Sequence, residues 1–337
     1  MKVGLFRACF THWSVDIGLI GSPLQALLAL EELGDGAAGH SIFLKIGKKI
    51  DALDRPDVCI VSGFAKTAFA IAFLILASWL RIVRVGKVLI GDMRLPHSML
   101  LMAIPAERII LDDGNFAILV EAAEGDFRGE CALFCSQKCW IRYFPNLARR
   151  LFLSSRRVFF HRSCIEYAQK NGLSPAVEID VSGRISIIVG NDLAAANYMT
   201  LANYRMVLER LLDRLSSSGW AIIYVPHRWE ADSIDDLLEK YQARKIDMRG
   251  AIVEQLAYRI EGTHPLFISL ASGALATVLI ANNVARSVFV DVSALLLDTF
   301  SRRRYELLRT AVETRLRREG PTFSERLRVQ PFESIEF

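Results

Sequence analysis

The residues best suited to chemistry in this 337-residue chain begin with a pair of acids closing an apolar run, Ile109-Ile110-Leu111-Asp112-Asp113-Gly114-Asn115. Neighbouring strand residues point to opposite faces, so one carboxylate can meet a ligand while the other supports the turn. In open α/β sheets that end of a strand is where ligands bind. A carboxylate there, poorly solvated, is suited to work as a general base. The same residues also fit a plain Asp-Gly turn. A second group is Tyr224-Val225-Pro226-His227-Arg228-Trp229-Glu230, in which His227 and Arg228 could donate to a phosphate or simply form a surface loop. The third is Phe267-Ile268-Ser269-Leu270-Ala271-Ser272-Gly273-Ala274-Leu275. There a strand passes through small residues into an apolar helix, whose free N–H groups suit an anion. A capping serine would leave the same pattern.

No metal is expected to take part. Of six cysteines (Cys9, Cys59, Cys131, Cys135, Cys139 and Cys164), the run Cys131, Cys135, Cys139 lacks the two-residue spacing of zinc knuckles. The first residues carry no continuous apolar core, so reduced thiols in a cytoplasmic setting are expected. Hydrophobic residues make up 52%, charged residues 23%, and the mean hydropathy is +0.27, which excludes a disordered chain. The net charge of +4 gives no case for nucleic acid. It is unevenly spread. From Lys138 to Lys170 eight Lys/Arg face the single acid Glu166, and from Ser301 to Gly320 seven Arg face three Glu. These stripes fit an acidic glycan or an anionic inner-membrane surface, and equally two solvated helices. The longest apolar stretch, Ala68–Leu80, has 13 residues. A bilayer span needs ~20. It reads as a buried helix or an interfacial one.

The elements that must position these groups alternate. Strands are expected at Ile17–Gly21, Val58–Ser62, Val88–Gly91, Ile109–Asp112, Val158–His161, Ile185–Val189, Ile222–Val225, Phe267–Leu270 and Val288–Val290. Helical patterns fall between them, as at Ser22-Pro23-Leu24-Gln25, where Ser22 is a natural N-cap and Pro23 a natural first residue. Alternation of this kind predicts parallel sheets covered by helices, hence the α/β class. The polar, glycine- and serine-containing stretch Asn171–Gly183 marks a join. Two Rossmann-like domains, 1–180 and 181–337, follow.

Taken in order, the motifs resemble those of the bacterial sialyltransferases and polysialyltransferases, over roughly residues 16 to 295. Asp112-Asp113-Gly114 matches the family's acidic motif. Pro226-His227-Arg228-Trp229-Glu230 is similar to its His-Pro motif, with Arg228 in place of the proline after the histidine. Ser272 matches one of a pair of serines, the partner being Ala271 or Gly273. Gly21-Ser22-Pro23-Leu24-Gln25 looks like the start of the family's first helix, Gly190-Asn191-Asp192 like the turn opening its second domain, and Ile252-Val253-Glu254 like its ribose-binding segment. His264-Pro265 stands in the wrong place for the pattern.

The resemblance implies a GT-B fold, with two Rossmann-like domains facing a central cleft. It implies an inverting, metal-independent transfer of sialic acid or a related nonulosonic acid from a CMP-sugar to a glycan or glycolipid acceptor. Asp113 would be the catalytic base and His227 would act on the departing phosphate. Asn191, His227, Arg228, Glu254, Ser272 and Gly273 would bind the donor; Ser22, Gln25, Asp112 and Asn115 would lie on the acceptor side. No cofactor is implied. Alternative readings are a transferase of CMP-Kdo or another CMP-nonulosonate, and a non-catalytic partner in polysaccharide assembly.

Overall fold

The computed structural model describes residues 14–34, 41–45, 53, 59–112, 139–173, 179, 183–227, 230, 234–248, 252–260 and 264–337. Two compact units divide the chain, Met1–Leu173 and Ser174–Phe337. In chain order the first holds β1 (Ser14–Ile20), α1 (Pro23–Leu33), β2 (Ser41–Lys45), β3 (Cys59–Ser62), α2 (Phe64–Trp79), β4 (Arg84–Ile90) and α3 (Pro96–Leu101). It continues through β5 (Glu107–Leu111), α4 (Trp140–Tyr143), α5 (Pro145–Leu153), β6 (Arg156–Val158) and α6 (Ser163–Lys170). The second holds β7 (Ile185–Val189), α7 (Leu201–Ser217), β8 (Ala221–Val225), α8 (Asp235–Lys240), β9 (Arg244–Lys245) and α9 (Val253–Arg259). It ends with β10 (Leu266–Ser269), α10 (Ala274–Ala281), β11 (Arg286–Asp291), α11 (Thr299–Glu319), α12 (Pro321–Ser324) and β12 (Leu327–Pro331).

Each unit is built on one six-stranded sheet, ordered β3-β2-β1-β4-β5-β6 in the first and β12-β11-β10-β7-β8-β9 in the second. Every strand pair is parallel. Numbered within its own unit, each sheet reads 3-2-1-4-5-6, the doubly wound Rossmann order. The α/β class and the two Rossmann-like units expected from the sequence are therefore present. Composition explains the parallel pairing. Central strands covered on both faces are buried along their length and largely apolar, as in Ile185-Ser186-Ile187-Ile188-Val189, where all five residues are buried.

The sheet order also sorts the helices. In the first unit the chain steps one way through β1, β2 and β3, then back through β4, β5 and β6. Right-handed crossovers put the return connections, α2, α3 and α4–α5, on one face. α1 covers the other face and packs against α6.

Where β1 and β4 lie side by side, Gln25 ties their ends together. Ser22 caps α1 by accepting from the Gln25 N–H at 3.3 Å. The buried Gln25 side chain accepts from the Gly21 N–H at 2.8 Å and donates through Nε2 to the Gly91 carbonyl at 2.6 Å. The amide fills the space beside Gly91: a Cβ there would stand 2.5 Å from Gln25 Cδ and 2.9 Å from the Leu19 carbonyl oxygen. Gly91→Ala overpacks this contact. Gln25→Glu replaces the donor to the carbonyl with an acceptor. Each is expected to lower the stability of the first unit by about 1–3 kcal/mol, read from urea denaturation. Wild-type midpoints in both variants would show that the tie is not needed.

Candidate functional site

In a doubly wound sheet the crevice lies beyond the carboxyl ends of the two strands from which the chain departs in opposite directions. In the second unit these are β7 and β10, with β8 beside β7. Asn191 follows β7, is buried, and its Oδ1 accepts from the Leu193 N–H at 3.1 Å, which turns the chain. Ser272 and Gly273 follow β10. Ser272 Oγ accepts from the N–H of Ala274, the first residue of α10, at 3.2 Å, and Gly273 is the N-cap, so both stand at a helix start. Ser269 is buried and donates to the Val189 carbonyl at 2.7 Å, fastening β10 to β7.

His227 follows β8 and is half-buried. Its backbone N–H donates to Glu230 Oε2 at 3.0 Å. The other oxygen of Glu230 accepts from the hydroxyls of Tyr204 and Tyr224, which lie 3.0 Å apart. Gly190 makes room for this cluster. A Cβ on it would press on the Glu230 carboxylate and stand 2.8 Å from both the His227 nitrogen and the Tyr224 hydroxyl. Burial holds the Glu230 carboxyl above its ordinary range, partly offset by hydrogen bonds from the two tyrosines and the His227 N–H. Burial likewise pushes both tyrosines well up, so they remain donors.

Glu254 sits in the first turn of α9, is buried, and accepts a hydrogen bond from Thr277 of α10. A carboxylate in a first helical turn is favoured by the helix dipole. Five residues expected on the donor side, Asn191, His227, Glu254, Ser272 and Gly273, thus gather on the β7–β8–β10 side of one sheet. Arg228 lies outside the described residues.

In the first unit the corresponding strands are β1 and β4. Ser22 and Gln25 follow β1, and Asp112 follows β5, one strand beyond β4. Asp112 is 1% exposed; its N–H continues the ladder to the Val158 carbonyl at 2.8 Å and its Oδ2 accepts from the Phe160 N–H at 3.0 Å. Its carboxylate therefore supports the strand end, the role open to one acid of the pair. Asp113, Gly114 and Asn115 lie outside the described residues.

Sequence reasoning missed the segment after β4. There Arg94 forms two hydrogen bonds to Asp92 at 2.8 and 2.9 Å, and Trp140 Nε1 and Ser98 Oγ both donate to the Met93 carbonyl at 2.7 Å. The buried His97 shares this stretch. No motif signals it, because its order depends on Trp140, 47 positions away. Glu230 was visible only as the last letter of a motif. Nothing in that motif pairs it with Tyr204.

Of the three cysteines in the 131–139 run, Cys139 is buried and donates to the Arg94 carbonyl at 3.1 Å, while Cys131 and Cys135 lie outside the described residues. Elsewhere Glu31, His161 and Cys164 bring potential ligand atoms within 4.8 Å of one another. Ser163 Oγ already lies 2.6 Å from Glu31 and 2.5 Å from His161 Nδ1, and burial raises the Cys164 thiol, keeping it in the protonated form that ligates poorly.

No protein-family model matches the chain, and no curated protein matches it in sequence. Solved structures to which it is similar include S. aureus MnaA with UDP, at 9% identity and a TM-score of 0.47, over 93% of this chain and 91% of that one. Another is UGT2 of Phytolacca americana with UDP-2-fluoro-glucose and pterostilbene, at 10% identity and 0.47, over 94% and 85%. A third is the E. coli ADP-heptose lipopolysaccharide heptosyltransferase II, at 11% identity and 0.41, over 91% and 100%. At these identities and scores the likenesses assign no activity.

The half-buried Glu230 carboxylate makes a pH prediction. Because its folded pKa is raised, the folded state keeps the Glu230 proton to higher pH than the unfolded chain does. Stability contributed at this site therefore falls as pH rises from the ordinary carboxylate range through the raised value. The difference in unfolding free energy between wild type and Glu230→Gln should change with that sign over the interval that begins in the ordinary carboxylate range and runs upward in pH. A difference that stays constant over the interval would remove Glu230 as a half-buried titrating group.

Proposed function

We propose that the chain is an inverting, metal-independent glycosyltransferase that moves sialic acid, or a related nonulosonic acid, from a CMP-sugar to a hydroxyl of a bacterial surface glycan or glycolipid. The observation that carries this reading is the gathering of Asn191, His227, Glu254, Ser272 and Gly273 along the β7–β8–β10 side of the second sheet. These are five of the six residues that the family resemblance assigns to the donor, the sixth being Arg228.

The chemistry follows from the leaving group. A CMP-activated sugar acid departs as a nucleoside monophosphate, which carries less charge than a diphosphate. A histidine, a serine hydroxyl and the N–H groups at a helix start offer donors to it without a cation. His227 acts on the departing phosphate, Ser272 and the start of α10 bind it, and Glu254 takes the ribose hydroxyls. Thr277 donates to one Glu254 oxygen, so ribose binding requires that bond to be shared or exchanged. The acceptor hydroxyl loses its proton to Asp113 as it attacks the anomeric carbon, and attack opposite the leaving phosphate inverts that carbon. Asp112 supports this role by fixing the strand end from which Asp113 follows. The same reading places the protein in the cytoplasm, peripheral to the inner membrane, in capsule or lipooligosaccharide assembly.

The test is CMP release from CMP-sialic acid, with CMP-Kdo and a UDP-sugar in parallel, in the presence and absence of EDTA. Release from CMP-sialic acid is expected to persist in EDTA. Asp113→Ala is expected to slow it by about a hundredfold or more, while CMP affinity by calorimetry stays within about twofold of wild type. Release by Asp113→Ala at nearly the wild-type rate would remove Asp113 from the base role. Release from CMP-Kdo alone would reassign the donor. Neither release nor CMP binding would overturn the nucleotide-sugar reading in favour of a non-catalytic assembly partner.

A further inference from the structure

We propose that the helical layer formed by α2, α3, α4 and α5 on one face of the first unit is a docking surface for an anionic lipid bilayer. The inference stands on exposed residues alone and holds whether or not the chain transfers sugar.

Apart from Lys66, Thr67 and Ser78, α2 is apolar, a composition that ordinarily marks a fully buried helix. Here only one side is covered. Ala70, Ile71, Leu74 and Ala77 are buried, whereas Phe69, Leu76, Trp79 and Leu80 are exposed, Leu76 at 59% and Trp79 at 67%. The exposed residues recur at three- and four-residue intervals with Ala65 and Ala72, so they form one stripe. The layer continues beyond α2. α2 packs on α3, and α4 is tied to the segment leading into α3 by the Trp140 hydrogen bonds to Met93 and Ser98. α4 leads through Phe144 into α5, where Phe144, Leu147 and Leu153 are also exposed. Several large apolar side chains left exposed on one helical layer mark an interaction site.

Charge selects the partner. Lys66, Arg81 and Arg84 flank the α2 stripe and are exposed, and Arg149 and Arg150 lie on α5. Between residues 59 and 106 the one acid is Asp92, bonded to Arg94, and between 139 and 165 there is none. Two copies meeting symmetrically on this face would set arginine against arginine, which disfavours a second chain as the occupant. An anionic bilayer meets both needs: it buries the aliphatic and aromatic side chains and neutralises the cations. The 16-residue α2 is about 24 Å long and lies in the interface plane. Consistent with that, no helix among the described residues is long and apolar enough to cross a membrane. The other basic stretch, on α11, is less suited. It carries Glu306, Glu313 and Glu319, and its Arg309 and Arg317 are paired with Asp291 and Glu313.

Flotation of the full chain with vesicles of phosphatidylcholine, alone or mixed with phosphatidylglycerol, tests the proposal. Binding is expected to the mixed vesicles only and to weaken with salt. Leu76→Ser with Leu80→Ser, and separately Arg149→Gln with Arg150→Gln, should each weaken it by about tenfold or more. Neutralising Arg302, Arg303 and Arg304 together should change it by less than about twofold. Trp79 gives a readout that does not depend on destabilising variants: its emission should shift to the blue on mixed vesicles, and Trp79→Phe should abolish the shift. The proposal is overturned by absence of binding, by equal binding to both vesicles, by loss only in the α11 variant, or by a self-associated chain that the Leu76/Leu80 variant dissociates.

Discussion

A half-buried carboxylate fastens the edge on which the second unit places its candidate ligand residues. Glu230 receives three hydrogen bonds, from the Tyr204 and Tyr224 hydroxyls and the His227 N–H, and fits only because residue 190 has no side chain. An ionised group taken out of water is costly unless its lone pairs are filled. Filling them draws together α7, the last strand residues of β8 and the loop carrying His227. The imidazole thus has a backbone origin set by this cluster through the His227 N–H. Rigid support of this sort is what a group acting on a phosphate requires.

The first unit reaches the same end by a neutral route. Gln25 bridges Gly21 and Gly91 across the two strands where its sheet changes direction, and a side chain on Gly91 would collide with it. Both units therefore set a polar side chain against a glycine that directly follows a central strand. Parallel sheets make this necessary. Each strand ends with backbone groups that no neighbouring strand satisfies, and at the divergence of two crossovers no helix covers them. In the second unit Ser269 adds a further brace, donating from β10 to the Val189 carbonyl on β7.

Most central strands were legible in the sequence because burial on both faces leaves an unbroken apolar run. β7 occupies the predicted residues, and β5, β8 and β10 differ from prediction by one or two at their ends. The unpredicted strands have other signatures. β9 is two exposed basic residues, and β12 is an exposed edge strand ending at Pro331, so neither has an apolar face to reveal it. β2 offers an apolar run of only three residues, Ile42-Phe43-Leu44, between Ser41 and Lys45, too short to mark a strand by pattern. β6 begins earlier than expected, at Arg156, whose guanidinium is bonded to Glu32 and Glu107; polar pairing rather than burial sets that edge. The site was legible at its letters and not in its wiring. His227 and Glu254 are visible as motif residues, but the bonds that hold them come from Glu230 and Thr277, which periodicity does not single out.

The architecture also separates two tasks that could otherwise compete. In an α/β unit the carboxyl ends of the strands form one surface and the outer side of a helical layer forms another, roughly at right angles to it. In the first unit Ser22, Gln25 and Asp112 belong to the strand ends, while the exposed stripe of α2 and the basic residues of α5 belong to the layer. A large partner seated on α2–α5 therefore leaves the strand ends open to a small one. The link between the two surfaces is the segment after β4. Through Met93 and Ser98 it ties α3 to Trp140, and through Gly91 it meets Gln25. Binding on the layer and order at the strand ends thus share a short, hydrogen-bonded stretch of chain.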